Sequence, residues 1–284
     1  MKTTVNCMPC FVRQALDAAR RVSQDPAVHE RIVRDVMRWA AEMDYALPPP
    51  VLAQRIHRRL RDITGVDDPY RTAKAQSNQM VLELLPELQD RIDTASDSLM
   101  MATRLAIAGN VIDLGAKTSV SSCDLRLAIE QALTTPLIGP QEAFRNAVAK
   151  ATHILYLADN AGEIVFDRLL IERLAPERVT LAVRGFPVLN DATILDARDV
   201  GLTDIVETIE NGSDAPGTLL EDCSENFRRY FNQADLIIAK GQGNFETLSR
   251  SSRDIYFLFK AKCPVISEHV GVSQGAYVLI QRSE

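Results

Sequence analysis

Asp159, Asn160 and Asp191 supply two carboxylates and an amide oxygen from two short polar segments. Oxygen donors of this kind suit a hard divalent cation such as Mg²⁺ or Mn²⁺. Each segment follows an apolar run. His153-Ile-Leu-Tyr-Leu-Ala158 leads into Asp159-Asn160-Ala161-Gly162-Glu163, and Val179-Thr-Leu-Ala-Val183 leads into Arg184-Gly185 and on to Asn190-Asp191. Leu236-Ile-Ile-Ala239 leads likewise into Lys240-Gly241-Gln242-Gly243-Asn244, and Ile205-Val-Glu-Thr208 into Asn211-Gly212-Ser213-Asp214. A lysine beside glycine can meet phosphate oxygens as a point charge, and Gly241 permits close backbone approach. Gly162 opens a helix whose first amides would point at an anion. Cation, Lys240 and helix end together would form a clamp for charge developing in phosphoryl transfer.

Each piece also has a plain structural reading. Asp-Asn-Ala-Gly is a common turn with a helix cap, and Asn190-Asp191 is a good cap for the helix after it. Lys-Gly-Gln-Gly is too short for a dinucleotide fingerprint. Glu163 either orients a metal-bound water or is a first-turn carboxylate favoured by the helix dipole. Asp214 either supports the metal ligands from behind or is a turn residue. Asn110 and Asp113 either reach the substrate from the first half of the chain or, for Asn110, end a helix. On residue chemistry alone, a metal–phosphate site and an ordinary cluster of loops both remain open.

Other metal chemistries fit less well. The histidines are His29, His57, His153 and His269, with no His-x-x-x-His pair, which argues against a zinc hydrolase. Cys7-Met-Pro-Cys10 has the spacing of a metal or redox pair. No second pair exists to complete a four-thiolate zinc site, and an odd total of five cysteines argues against a disulfide framework. A structural role near the first helix is the expectation for this pair.

The elements that must position these residues differ between the two halves. Up to about residue 150 the apolar spacing is helical, over Phe11–Val22, 26–44, 51–63, 72–85 and 99–108, and no convincing strand is found. From 151 onward short apolar runs alternate with helical stretches at 163–174, 191–199, 217–231 and 245–260. Further strands are expected at Pro264–Ile266 and Ala276–Ile280. Such alternation predicts a Rossmann-like, mostly parallel α/β sheet flanked by helices. The predicted organisation is an all-helical N-terminal subdomain, 1–150, and an α/β metal- and phosphate-binding core, 151–284. In such a sheet, ligands bind beyond the carboxyl ends of the strands, where the polar segments fall.

The 284-residue chain carries a net charge of −6 and 46% hydrophobic residues. It therefore lacks a global field to attract nucleic acid. No apolar run approaches the roughly 20 residues that span a bilayer, and no apolar signal core follows the first charge. A cytoplasmic protein with a small-molecule partner is expected; nothing in the sequence specifies the oligomeric state.

At the same residues the chain resembles the metal-dependent damage-control phosphatases, catalogued as domain of unknown function 89. The similarity runs through Cys7-Met-Pro-Cys10-Phe11, Asp68-Pro69-Tyr70, Ala108-Gly109-Asn110-Val-Ile-Asp113, Asp159 to Glu163, Arg184-Gly185 to Thr193, Asn211 to Gly217 and Lys240 to Glu246. The resemblance implies a phosphatase acting on a small phosphorylated metabolite, with Mn, Co, Ni or Mg as cofactor. It implies Asp159, Asn160 and Asp191 as metal ligands and Lys240 as the phosphate-binding lysine. Gly162, Glu163, Asn110, Asp113, Arg184, Asp214 and Gly241 are the expected substrate-side residues. The cysteine-bearing start resembles the prokaryotic-type branch. Arg184-Gly185-Phe186-Pro187 departs from the family's Arg-Gly-Gly-Pro, so Phe186 is expected to alter the pocket. Two rivals are an S-adenosylmethionine-dependent carboxyl methyltransferase, which the single glycine after Ala158 fits poorly, and a non-enzymatic metabolite-binding protein.

Overall fold

The computed structural model describes residues 1–109 and 122–282. Among the described residues the first part holds eight α-helices: α1 (Met8–Val22), α2 (Pro26–Glu42), α3 (Pro49–Thr64), α4 (Arg71–Leu82), α5 (Leu85–Asp93), α6 (Ser98–Ala108), α7 (Ser122–Thr134) and α8 (Gln141–Lys150). Proline in the first turn begins α2, α3 and α5, where its missing N–H costs nothing. Between α7 and α8 lies the short strand β1 (Leu137–Ile138). Two residues are too few to leave a period in the sequence, so the expectation of no strand before residue 150 is corrected here.

The second part follows as β2 (Ile154–Leu157), α9 (Glu163–Ile171), β3 (Val179–Val183), α10 (Ile194–Asp199), β4 (Glu207–Glu210), α11 (Glu225–Gln233), β5 (Leu236–Lys240), α12 (Gly241–Leu248), β6 (Ile255–Lys260), α13 (Pro264–Val270) and β7 (Tyr277–Arg282). The seven strands form one sheet in the order β1-β7-β6-β5-β2-β3-β4. All neighbours are parallel except β6 and β7. This is the mostly parallel, helix-flanked α/β sheet the sequence predicts.

Two segments exchange type relative to expectation. Ile255-Tyr-Phe-Leu-Phe-Lys260, expected as the end of a helix, is a strand buried on both faces; an unbroken apolar run carries no period that separates the two. Pro264-Val-Ile266, expected as a strand, begins α13. Proline opens it, the Cys263 sulfur accepts the Ile266 N–H, and Gly271 ends it in the left-handed region. Residues 217–224, expected as helix, precede α11, which starts on its Ser224 cap.

Alternate strand residues feed two cores. Tyr156, Leu181, Ile238 and Leu258 pack toward α6, α8 and α9. Leu155, Leu157, Ala182, Ile237 and Phe257 pack toward α11, α12 and α13. A third core, with Phe11, Ala15, Ile32, Val36, Leu52 and Ile56, belongs to α1, α2 and α3.

Polar ties join the early helices to the loops at the sheet's carboxyl edge. Arg58 and Arg61 of α3 grip Asp214, and Gln54 donates to the same carboxylate at 2.7 Å. Lys74 and Asn78 of α4 reach Asp196 of α10, each at 3.1 Å. No helix among the described residues is long and apolar enough to cross a membrane.

Candidate functional site

The strand order reverses around β2: β3 and β4 follow on one side, β5 and β6 on the other. The carboxyl ends of β2, β3 and β5 therefore meet at the switch point, where open α/β sheets bind ligands. Asp159, Arg184 and Lys240 leave from those three ends.

The loops after β2 and β3 are zipped together. Asn160 and Asp191 form an antiparallel bridge. The Ala192 N–H donates to the Asp159 carbonyl at 2.8 Å, and the Ala161 N–H to the Asn190 carbonyl at 2.8 Å. Two sequence-distant segments thus present Asp159, Asn160 and Asp191 side by side, and all three are buried. They line a cavity of about 490 Å³. To the same cavity α1 contributes Cys10, Arg13, Gln14 and Asp17, one polar face at helical spacing. Gln242 and Glu246 of α12, Lys262 and Cys263 after β6, and Pro49, Pro50 and Ala53 of α3 also line it.

Burial raises the Asp159 pKa well above the ordinary carboxylate value, and the Glu163 and Asp191 charges push it further; Arg184 and Lys262 oppose them. Two carboxylates and an amide, buried together with mutual repulsion to relieve, suit a hard cation. Among the described residues no three His, Cys, Asp or Glu side chains converge as a metal site, so the fit relies on Asn160 as the third donor. Gly241 forms part of the cradle: a Cβ there would fall 1.9 Å from Asp159 Oδ2, and its φ of +78° favours glycine.

Arg184, 2% exposed, lies behind the two aspartates. Its Nε donates to Asp191 Oδ2 at 2.6 Å and its Nη1 to Asn244 Oδ1 at 3.4 Å. Its Nη2 has no hydrogen-bond partner and stands 3.7 Å from Asp159 Oδ1. Asn244 in turn donates to the Ala158 and Lys240 carbonyls at 3.2 and 2.8 Å, joining the ends of β2 and β5.

Lys240 departs from expectation. It follows Ile238 by two residues and so shares the face packed by α6 and α9. Its buried ammonium donates to Glu163 Oε1 at 2.7 Å, Asp167 Oδ1 at 2.6 Å and the Ala106 carbonyl at 2.8 Å. These three acceptors match its three protons, and the side chain is not in the cavity lining. Burial disfavours the ammonium, but the Asp167 and Glu163 charges outweigh it and raise its pKa. Asp167 is pushed up to about 6, chiefly by burial and against the pull of Lys240.

The remaining expected residues take varied places. Glu163 is wholly buried and accepts from Asn160 Nδ2 at 3.0 Å. The Gly162 N–H, expected to face an anion, donates to Asn78 Oδ1 at 2.6 Å. Asp214 is occupied by α3, away from the cavity; despite burial, its bonds to Arg58 and Gln54 lower its pKa. Phe186 is 59% exposed and lies outside the cavity lining. Asn110 and Asp113 lie outside the described residues. The Cys7-x-x-Cys10 pair is split: Cys7 packs on the α1–α3 core while Cys10 lines the cavity.

Residues the sequence reading missed include Asn78, Arg13, Asp17 and Lys262. Lys262 had a signal. Had residues 255–260 been read as a strand, the rule of carboxyl ends would have selected it.

Fold and site together define a doubly wound α/β protein with an acidic, cation-suited pocket at its switch point. Residues 3–278 match the damage-control phosphatase ARMT1-like domain, and the chain belongs to that family. It is 34% identical to a damage-control phosphatase of Archaeoglobus fulgidus over 98% of both chains. It is 33% identical to one of Pyrococcus horikoshii over 99% of this chain and 98% of the relative. A crystal structure of a Pyrococcus horikoshii DUF89 family protein superposes with a TM-score of 0.87 at 34% identity, covering 99% of each chain.

Proposed function

We propose that this protein is a divalent-cation-dependent phosphatase that hydrolyses a small phosphorylated metabolite as a phosphomonoester, and that it belongs to the prokaryotic-type branch marked by Cys7-x-x-Cys10. One observation carries the reading: Asp159, Asn160 and Asp191 stand together on the wall of a cavity that also holds Arg13 and Lys262. The relatives named damage-control phosphatases, aligned along nearly their whole length, support the same activity.

Asp159, Asn160 and Asp191 would hold Mn, Co, Ni or Mg through oxygen donors. Bound there, such an ion supplies Lewis-acid stabilisation of phosphate charge and a more acidic water. Lys262 and Arg13 attract the phosphate and compensate its charge from the cavity wall; the Lys262 charge already opposes, in small part, the rise of the Asp159 pKa. Arg184 keeps the Asp191 carboxylate in one orientation from behind. Asp159, Asp191 and Arg184 are buried, which keeps the effective dielectric around them low, so their charges act more strongly than they would in water. The α1 face bearing Gln14 and Asp17 meets the part of the substrate beyond the phosphate.

The test is phosphate release from a panel of sugar phosphates, nucleotides and phosphorylated cofactors, with each of the four metals and with EDTA. Hydrolysis that requires metal and disappears in Asp159→Ala, with the fold retained by circular dichroism, is expected. Undiminished turnover in Asp159→Ala would remove the assignment.

A further inference from the structure

Asn160 is held in a way that the metal reading alone does not require. An amide side chain has an N–H edge and an oxygen edge, and only the N–H edge can face a carboxylate. Asn160 Nδ2 faces two, donating to Asp159 Oδ2 at 2.7 Å and to Glu163 Oε2 at 3.0 Å. Both of its protons are used, so its oxygen edge is turned away from these carboxylates.

Glu163 is fixed in turn. Its second oxygen, Oε1, accepts from Lys240 Nζ at 2.7 Å. Lys240 is anchored by Asp167 Oδ1 at 2.6 Å and the Ala106 carbonyl at 2.8 Å, and Asp167 Oδ1 also accepts from the Tyr156 hydroxyl at 2.7 Å. Gly109 leaves room for this packing: a Cβ there would stand 3.2 Å from Glu163 Cγ and 2.7 Å from the Phe166 ring. A continuous buried chain therefore runs from β2 and α9 through Lys240 and Glu163 to Asn160.

We propose that Glu163 and Lys240 are positioning residues: Lys240 clamps Glu163, and Glu163 orients the Asn160 amide so that its oxygen serves the divalent cation. The inference rests on the metal-site reading above. It gives Lys240 a role behind the ligands in place of direct contact with phosphate. Partners of metal ligands typically change affinity about 10–100-fold when removed.

Electrostatics separates this role from a merely structural one. Lys240 is a cation near a cation site, so its charge alone would weaken metal binding, and removing it would tighten Mn²⁺. A positioning role has the opposite sign: without Lys240, Glu163 loses the clamp on its Oε1, holds Asn160 less firmly, and Mn²⁺ binds less tightly. Glu163→Ala is the gentler variant, because it leaves Lys240 and Asp167 as a one-to-one pair, whereas Lys240→Met leaves two buried carboxylates.

The experiment is Mn²⁺ binding to the intact protein without substrate, read from the free-ion electron paramagnetic resonance signal, with thermal unfolding alongside. Glu163→Ala is expected to weaken Mn²⁺ about 10–100-fold. Lys240→Met is expected to weaken it as well, and Tyr156→Phe to leave it within about two-fold. If Lys240→Met does not fold, Glu163→Ala is read against Glu163→Gln, which removes the same charge but keeps an amide oxygen to accept from Asn160: a greater loss of Mn²⁺ affinity in Glu163→Ala than in Glu163→Gln supports positioning, and equal losses overturn it. Wild-type affinity in Glu163→Ala, or tighter binding in a folded Lys240→Met, overturns the positioning role while leaving the metal site standing. Failure of the wild-type protein to bind Mn²⁺ overturns both.

Discussion

Arg184 Nε donates to Asp191 Oδ2 across 2.6 Å, with both side chains buried. The same guanidinium stands 3.7 Å from Asp159 Oδ1. One arginine thus compensates two carboxylates proposed to take a divalent cation. Removing one partner from a buried ion pair typically costs about 3–5 kcal/mol. Arg184→Met should therefore lower the melting temperature of the metal-free protein. Saturating Mn²⁺ should restore part of that loss, since a ligand bound only by the folded state stabilises it. The melting-temperature rise with Mn²⁺ should be larger in Arg184→Met than in wild type. Equal rises would separate Arg184 from the metal ligands.

Gly241 supports a second expectation. Its Cβ position is filled by the Asp159 carboxylate, and its φ is +78°. Gly241→Ala meets both steric obstacles at once, and the carboxylate must move. The left-handed backbone alone costs an alanine about 1–2 kcal/mol. Mn²⁺ binding should be lost or reduced more than ten-fold while circular dichroism stays native-like. Gly271→Ala is the control. It has a similar φ of +76° but open space around it, so it should cost stability without touching Mn²⁺ affinity.

These contrasts show what the sequence made legible. Asp159, Asn160 and Asp191 could be singled out as neighbours at one sheet edge because they follow apolar runs, and the strand-end rule needs only local pattern. The same rule misplaced Lys240, which is still within β5, where side-chain alternation sends it to the face of α6 and α9. Lys262 escaped because the run from Ile255 to Lys260 has no period. Asn78 and Asp196 join the site through contacts 84 and 118 residues apart in sequence, and no local pattern announces such a bond. The α/β sheet was legible as a class, while β1 and the β6–α13 exchange depended on tertiary burial that overrode weak local signals.

Lys262 and Arg13 should divide their effects in kinetics. Both line the cavity, one from the end of β6 and one from α1. A hydrogen bond to a charged group contributes about 1.5–3 kcal/mol, which corresponds to roughly 10–150-fold in kcat/KM. Lys262, whose charge is felt at Asp159, should show its loss in kcat when changed to Ala. Arg13, carried by α1 rather than by a strand-end loop, should show it mainly in KM. Steady-state kinetics on the best substrate of the phosphatase panel checks this, and an unchanged kcat/KM in both variants would exclude them as phosphate contacts.

His57 governs a pH dependence of stability in the helical part. It is buried on α3, its Nε2 has no hydrogen-bond partner, and its ring meets Tyr70 edge-on with centroids 6.4 Å apart. Burial, reinforced by the Arg61 charge and only partly offset by Asp214, pushes its pKa from 6.5 down to about 4. The folded state therefore keeps it neutral where the unfolded chain protonates it. Between about pH 6.5 and 4 the unfolded state binds more protons, so stability falls as pH falls through that window. The shift corresponds to about 3 kcal/mol by the conversion of 1.36 kcal/mol per pKa unit. Asp167 acts with the opposite sign: its pKa, raised to about 6, makes stability decline as pH rises from its ordinary value of 3.8 through 6. The two are separated by substitution. Urea unfolding at pH 7 and pH 5 should show His57→Gln losing less stability on acidification than wild type, by up to about 2 kcal/mol. An identical loss in both proteins would mean that His57 is already charged in the folded state at pH 5.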